Sequence, residues 1–231
     1  MYKHLYDNFA HWFHKEKGTV YFYSDPHFND KEANYLRKDY IGDKEQVKRI
    51  NSKIGKYDTL VILGDVGDIE WVRKIHGYKV LIMGNHDQGA TNYKRQVITD
   101  QFHIFNETRE EAIKIMKEKY PNWKITAEPL EWGRFTKVTA DNGLFDEVYE
   151  GALMIAPNII LSHEPVGDFP YAINIHGHTH NSNDKYNMCA ENINYTPVPI
   201  KNFVEDGISK KVVNIHRETI DKATERKGKR K

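Results

Sequence analysis

Apolar and polar residues alternate with a changing period along this chain, and each change marks an element. Leu5, Phe9, Trp12 and Phe13 recur at roughly helical spacing ahead of Gly18, which predicts a short amphipathic helix. "TVYFYSD" (19–25) is then β-branched and aromatic, the pattern of a short buried strand, and it ends on a carboxylate. In the polar stretch that follows, Val47, Ile50 and Ile54 form the stripe of a surface helix. "DTLVILGD" (58–65) reads as a second buried strand and "IEWVRKIHG" (69–77) as a short helix stopped by glycine. "YKVLIMGNHD" (78–87) is a third strand running into a turn. Strands and helices in alternation with compact connections predict parallel βαβ units.

The second half has a different rhythm. "FDEVYEGALMIAPNIILSHEP" (145–165) reads as two strands around an Ala-Pro-Asn turn, a hairpin. "YAINIHGHTH" (171–180) and "KYNMCAENINY" (185–195) read as two more strands, and a helix is expected from about Lys211. Strands in two groups predict a two-sheet α/β sandwich rather than one open sheet. Between the groups, Asn106 to Gly143 carries a helical stripe at Ile113, Met116 and Tyr120, then Trp123, Trp132 and Phe135. It reads as an insertion, placed to act as a cap that shapes substrate choice.

Composition narrows the setting. The 231 residues suit a single domain spanning 1–231. Lysine and arginine number 34 against 33 aspartates and glutamates, so global charge draws the chain to neither nucleic acid nor membrane. The basic tail "KATERKGKRK" (222–231) is expected to be a solvated terminus. No apolar run approaches the roughly 20 residues of a membrane span, and the aromatic, charged start does not read as a secretion signal. Cys189 is the single cysteine, which excludes an internal disulfide and a thiolate-rich zinc site. A cytoplasmic location is expected.

Candidate chemistry sits at the strand ends. The first three end in "SDPHF", "GDVGD" and "GNHD", the hairpin in "LSHEP", and the next strand in "HGHTH". Ligands of open α/β sheets bind outside the carboxyl ends of the strands, so five ends bearing Asp, His or Asn are candidates to converge. Carboxylate and imidazole ligands without thiolate suit manganese, iron, zinc or nickel, and the count suffices for two ions.

The ordered set Asp25-Pro-His27, Gly64-Asp65-Val-Gly-Asp68, Gly84-Asn85-His86-Asp87, His163 and Gly177-His178-Thr-His180 resembles the motif series of the calcineurin-like metallophosphoesterases. "SDPHF" and "NINYTPVPI" are nearest to that family's short-chain bacterial and phage phosphoesterases, whose substrates are poorly defined. The resemblance implies a four-layer αββα sandwich of two mixed β-sheets with the metal site at the sheets' C-terminal edge. It implies two divalent ions, manganese foremost in vitro, with iron, zinc or nickel as alternatives. Asp25, His27 and His180 would hold one; Asn85, His163 and His178 the other; Asp65 would bridge them. A hydroxide held between the ions would attack phosphorus, with His86 as general acid and Asp68 accepting a hydrogen bond from His86.

His176 has no ligand role in that series, and Asp87 is expected to brace its turn through backbone hydrogen bonds. Ile69 and Glu70 follow Asp68 where the Ser/Thr protein phosphatases carry a phosphate-clamping arginine and a glycine, which argues against that branch. Lack of such a clamp favours a phosphodiester substrate, nucleotide-type or nucleic acid. Phosphomonoester hydrolysis and a catalytically silent metal-binding scaffold are the alternatives.

Overall fold

The structure, a computed structural model, describes residues 5–37, 39–103, 108–130, 135–167, 169 and 172–203. The N-terminal apolar stripe forms the expected short helix, of 3-10 type, at Asp7–Phe13, and it buries Phe9 and Trp12. The βαβ expectation is met by β1 (Val20–Tyr23), α1 (Lys31–Leu36), α2 (Asp43–Asn51), β2 (Thr59–Ile62), α3 (Ile69–Val72), β3 (Tyr78–Ile82) and α4 (Ala90–Tyr93). The three strands are parallel, with Tyr21 opposite Leu60 and Leu60 opposite Lys79. Val47 and Ile50 bury the predicted stripe of α2, and Ile54 is buried just past its end.

The insertion differs from its expectation in extent and in type. It begins at β4 (Val97–His103), continues through α5 (Arg109–Lys119) and β5 (Lys124–Pro129), and returns along β6 (Phe135–Asp141). A capping box between Thr108 and Glu111 starts α5. The strands form an antiparallel sheet in the order β4-β6-β5. Val138 and Ala140 pack with Ala112 and Met116 of α5, with Trp123 against them, so the unit has a small core of its own. Trp132 lies outside the described residues.

Beyond it come β7 (Glu147–Tyr149), β8 (Leu153–Ala156), β9 (Ile159–Leu161), β10 (Ile173–Ile175), β11 (Val198–Pro199) and α6 (Lys201–Phe203). β8 and β9 are the predicted hairpin, and β10 joins β9 in parallel. β7 adds to β3 and β11 to β1, giving a five-stranded sheet in the order β11-β1-β2-β3-β7. The stretch 185–195 is not a strand. It makes single bridges at Asn187 and Cys189, and turns through left-handed Asn194 and Tyr195. The expected helix from about Lys211 and the basic tail lie outside the described residues.

The result is mixed α/β. Phe22, Val61, Leu63 and Val80 of the first sheet share one core with Ile159, Leu161, Ile173 and Ile175 of the second, so the two sheets pack face to face. On the first sheet's other face, Leu60, Ile62 and Leu81 meet Val47 and Ile50 of α2 and Val72 of α3. No helix among the described residues is long and apolar enough to cross a membrane.

Candidate metal centre

Five strand ends meet at one edge of the paired sheets. β1 delivers Asp25 and, two residues on, His27; β2 delivers Asp65; β3 delivers Asn85 and His86; β9 delivers His163; β10 delivers His178 and His180. Each carboxylate divides its oxygens between protein and site. Asp25 Oδ2 accepts from the His178 amide at 3.0 Å and the Cys189 thiol at 3.3 Å, and lies 2.5 Å from Ser24 Oγ. Asp25 Oδ1 has no hydrogen-bond partner and faces His180 Nε2 at 3.4 Å and His27 Nε2 at 3.8 Å. Asp65 Oδ1 accepts from the His86 amide at 3.0 Å. Its Oδ2 stands between two imidazoles, 3.6 Å from His27 Nε2 and 3.4 Å from His163 Nε2.

Three histidines are aimed by what lies behind them. His163 Nδ1 meets the Leu63 carbonyl at 2.8 Å, His27 Nδ1 meets Asp30 at 3.2 Å, and His180 Nδ1 meets Glu191 at 2.5 Å. Each of these partners only accepts, so Nδ1 donates the proton and a neutral ring turns the bare lone pair of Nε2 into the cluster. His163 Nε2 then lies 2.8 Å from Asn85 Oδ1 and 3.2 Å from His178 Nδ1, which is itself 3.1 Å from Asn85 Oδ1. Lone pairs this close repel unless a proton or a metal ion lies among them. His27 Nε2, buried and without a hydrogen-bond partner, is in the same position on the other side of Asp65. The donors therefore fit a pair of divalent ions. Asp25, His27 and Asp65 make one group with ligand atoms all within 4.8 Å of one another, and Asp65, His163 and His178 make a second that shares Asp65.

The direction of the His27 pKa agrees with that fit, and that of His180 runs the other way. Burial, helped by the Arg37 charge, holds the His27 imidazole below its ordinary pKa and so neutral, as a ligand must be. The hydrogen bond to Glu191 raises that of His180. Cys189 forms a further group with Asp25 and His180, but burial and the neighbouring Asp25 and Glu191 charges push its thiol far up. Its thiol donates to Asp25 Oδ2.

The backbone is bent to reach this arrangement. Asp25, His27, Asp65 and His178 all have left-handed φ, between 43° and 63°. Such residues cost roughly 1–3 kcal/mol each and persist where the surroundings over-determine them. Here the Asp25 amide donates to Gly64 O at 3.1 Å and that of His27 to Asp65 O at 3.0 Å. The motif glycines have a steric reason. A Cβ on Gly84 would collide with Asp65 Oδ1, and one on Gly177 with Ser24 Oγ and Asp25 Oδ2.

All seven expected ligands are thus brought together; the other expectations divide. His86 is exposed beside the cluster, its ring centroid 5.6 Å from that of His27. Asp68 does not bond to it. The Asp68 oxygens accept instead from the Glu70 amide at 3.0 Å, capping α3, and from Asn29 Nδ2 at 3.4 Å. A carboxylate at the first residue before a helix is drawn to the free amides there, and this is what overrides the expected contact. Asp87 braces its turn as expected, accepting from the amides of Gly84, Asp65 and Val66. His176 is outside the cluster, bonded to the Gly177 carbonyl and Asp184. Sequence reading missed Ser24, Asp30, Arg37 and Glu191. Asp30, close after "SDPHF" and ahead of a helix, had a readable signal as an N-cap.

No protein-family model matches the chain, and no curated protein matches it. Among solved structures, it is similar to a protein of unknown function, AQ665, from Aquifex aeolicus. The likeness has a TM-score of 0.51 at 20% identity, and covers 81% of this chain and 98% of that one. At that identity the likeness speaks for the fold alone.

Proposed function

We propose that this chain is a calcineurin-like metallophosphoesterase that hydrolyses phosphate esters, diesters in preference to monoesters, with two divalent ions. The observation that carries the reading is the place of Asp65 Oδ2, between His27 Nε2 and His163 Nε2 and shared by two groups of candidate ligands. Asp25, His27 and His180 would hold one ion and Asn85, His163 and His178 the other, with Asp65 serving both. When bound, the ions would supply Lewis acidity toward a phosphoryl oxygen and acidify bound water. Manganese is the first choice for assay, with iron, zinc and nickel after it. We also take the full architecture to be a four-layer αββα sandwich; a helical layer and the two stacked sheets are the part supported by the shared cores.

In this reading His86, exposed beside His27, gives its proton to the leaving oxygen. Its backbone amide, bonded to Asp65, fixes where its ring emerges. The diester preference rests on Ile69 and Glu70, which follow Asp68 where a monoester-clamping arginine would stand. Arg37 reaches the cluster from behind, donating to the carbonyls of Asp25 and Pro26.

Hydrolysis of bis-p-nitrophenyl phosphate and p-nitrophenyl phosphate by metal-stripped protein, with and without manganese, tests this. The expected result is metal-dependent turnover that favours the diester and falls about 10²–10⁴-fold in His86→Ala. Two tightly bound ions without turnover on either ester, under manganese, zinc, nickel or iron, would favour a silent scaffold.

A further inference from the structure

We infer that Arg37 and Glu191 are positioning residues for one ion of the pair, the one assigned to Asp25, His27 and His180; the inference rests on the two-ion reading above. Glu191 Oε1 accepts a hydrogen bond from His180 Nδ1 at 2.5 Å. Its Oε2 has no hydrogen-bond partner and faces Arg37 Nε, also without one, at 3.7 Å. The two side chains are 8% and 3% exposed, so this is a buried ion pair. The same guanidinium donates through Nη2 to the Asp25 carbonyl and through Nη1 to the Pro26 carbonyl at 3.3 Å.

The Arg37–Glu191 pair therefore ties together two segments that belong to different sheets. The first is the left-handed turn that presents Asp25 Oδ1 and His27 Nε2. The second follows β10 and presents His180 Nε2. The other ligand group is joined across the sheets without a charged pair behind it, by the Leu63 carbonyl behind His163 and by the contacts of Asn85 and His178 with each other and with His163. A buried guanidinium this near a cation site repels the ion, so Arg37 helps the site only through geometry. Removing one partner of a buried pair also leaves the other without compensation, so Arg37 and Glu191 act as a unit.

Three variants separate this role from general support of the fold: Glu191→Ala, Glu191→Gln and Arg37→Lys. Calorimetric titration with manganese and with zinc reads the two binding steps. Nitrogen-resolved NMR of the histidine rings in metal-free protein reads the His180 tautomer. Glu191→Ala is expected to weaken one ion about 10–100-fold, leave the other unchanged, and release His180 from the Nδ1–H form. Glu191→Gln, whose amide oxygen still accepts from Nδ1–H, should restore the tautomer and part of the affinity. Arg37→Lys, which keeps the charge and loses the fork, should weaken the same single ion. Should Glu191→Ala not fold, the other two variants carry the comparison. Equal weakening of both ions, or wild-type affinity for both, would overturn the inference. A wild-type protein that takes up no ion would sink the two-ion reading. The metal-free tautomer comparison would then decide the Glu191 contact alone, an unchanged His180 in Glu191→Ala counting against it.

Discussion

Asp25 and Asp65 each commit one oxygen to the protein and leave the other facing imidazole nitrogens, whereas Asp68 commits both. That contrast has a consequence for catalysis. Asp68→Ser keeps a side-chain oxygen able to cap α3 and removes the carboxylate; it should hold wild-type stability and most of the turnover. Asp68→Ala should cost about 1 kcal/mol, the usual loss of an N-cap. Thermal melts and diester hydrolysis read both. A drop in Asp68→Ser of about 10²-fold or more, comparable to His86→Ala, would mean that Asp68 engages His86 during turnover after all. The candidate ligands were legible in the sequence because each stands within a few residues of a strand end, where local order is translated directly into position. Arg37 and Glu191 were not. Their partners are eleven or twelve residues away along the chain, in Asp25 for one and His180 for the other, and no local spacing encodes a contact made only when two sheets meet.

At the scale of elements, the insertion is the least legible part and the most separable. The helical stripe of 109–120 was readable, but the flanking strands were not, although Thr136, Val138 and Ala140 are buried alternately along β6. Threonine and charged residues fill the other face of that small sheet, so the alternation is of weakly contrasting residues. The stretch 185–195 failed in the opposite sense. Its apolar residues looked like a strand, but its asparagines form turns, with Asn187 Oδ1 accepting from the Cys189 amide. The insertion leaves and rejoins the body at a single point, since Val97 pairs with Asp141. Arg95 bonds to Asp141 and Asp146 there, and Asn142 bonds to Lys94 and Gln96. Excising 98–140 and closing the ladder with an Asn-Gly turn should leave a folded body with its metal affinity intact. Hydrolysis of a small activated ester should change little, while preference among larger substrates should change strongly. Equal loss on small and large substrates would count against a cap role.

For the whole molecule, the site is the place where the two sheets are joined twice, once through their common apolar core and once through their ligand-bearing ends. The apolar core holds without any ion. The ligand edge differs, since it gathers the carboxylates of Asp25, Asp30, Asp65 and Glu191 and four imidazoles, with one guanidinium against them. Acceptor atoms crowd one another there, and four backbone positions are in left-handed conformations. Folding without metal must bear that crowding and strain, and a bound ion would offset them by attraction to the donors. Metal binding should therefore be read out as stability. An ion at a hundred times its dissociation constant adds about 2.7 kcal/mol. In a domain of this size 1 kcal/mol raises Tm by about 2–4 °C, so each ion should add about 5–11 °C. Saturating manganese should give that rise, EDTA should reverse it, and His163→Ala and His180→Ala should each remove about half. An absence of any shift with manganese, zinc, nickel and iron would mean that five strand ends bearing these side chains meet for a purpose other than holding metal.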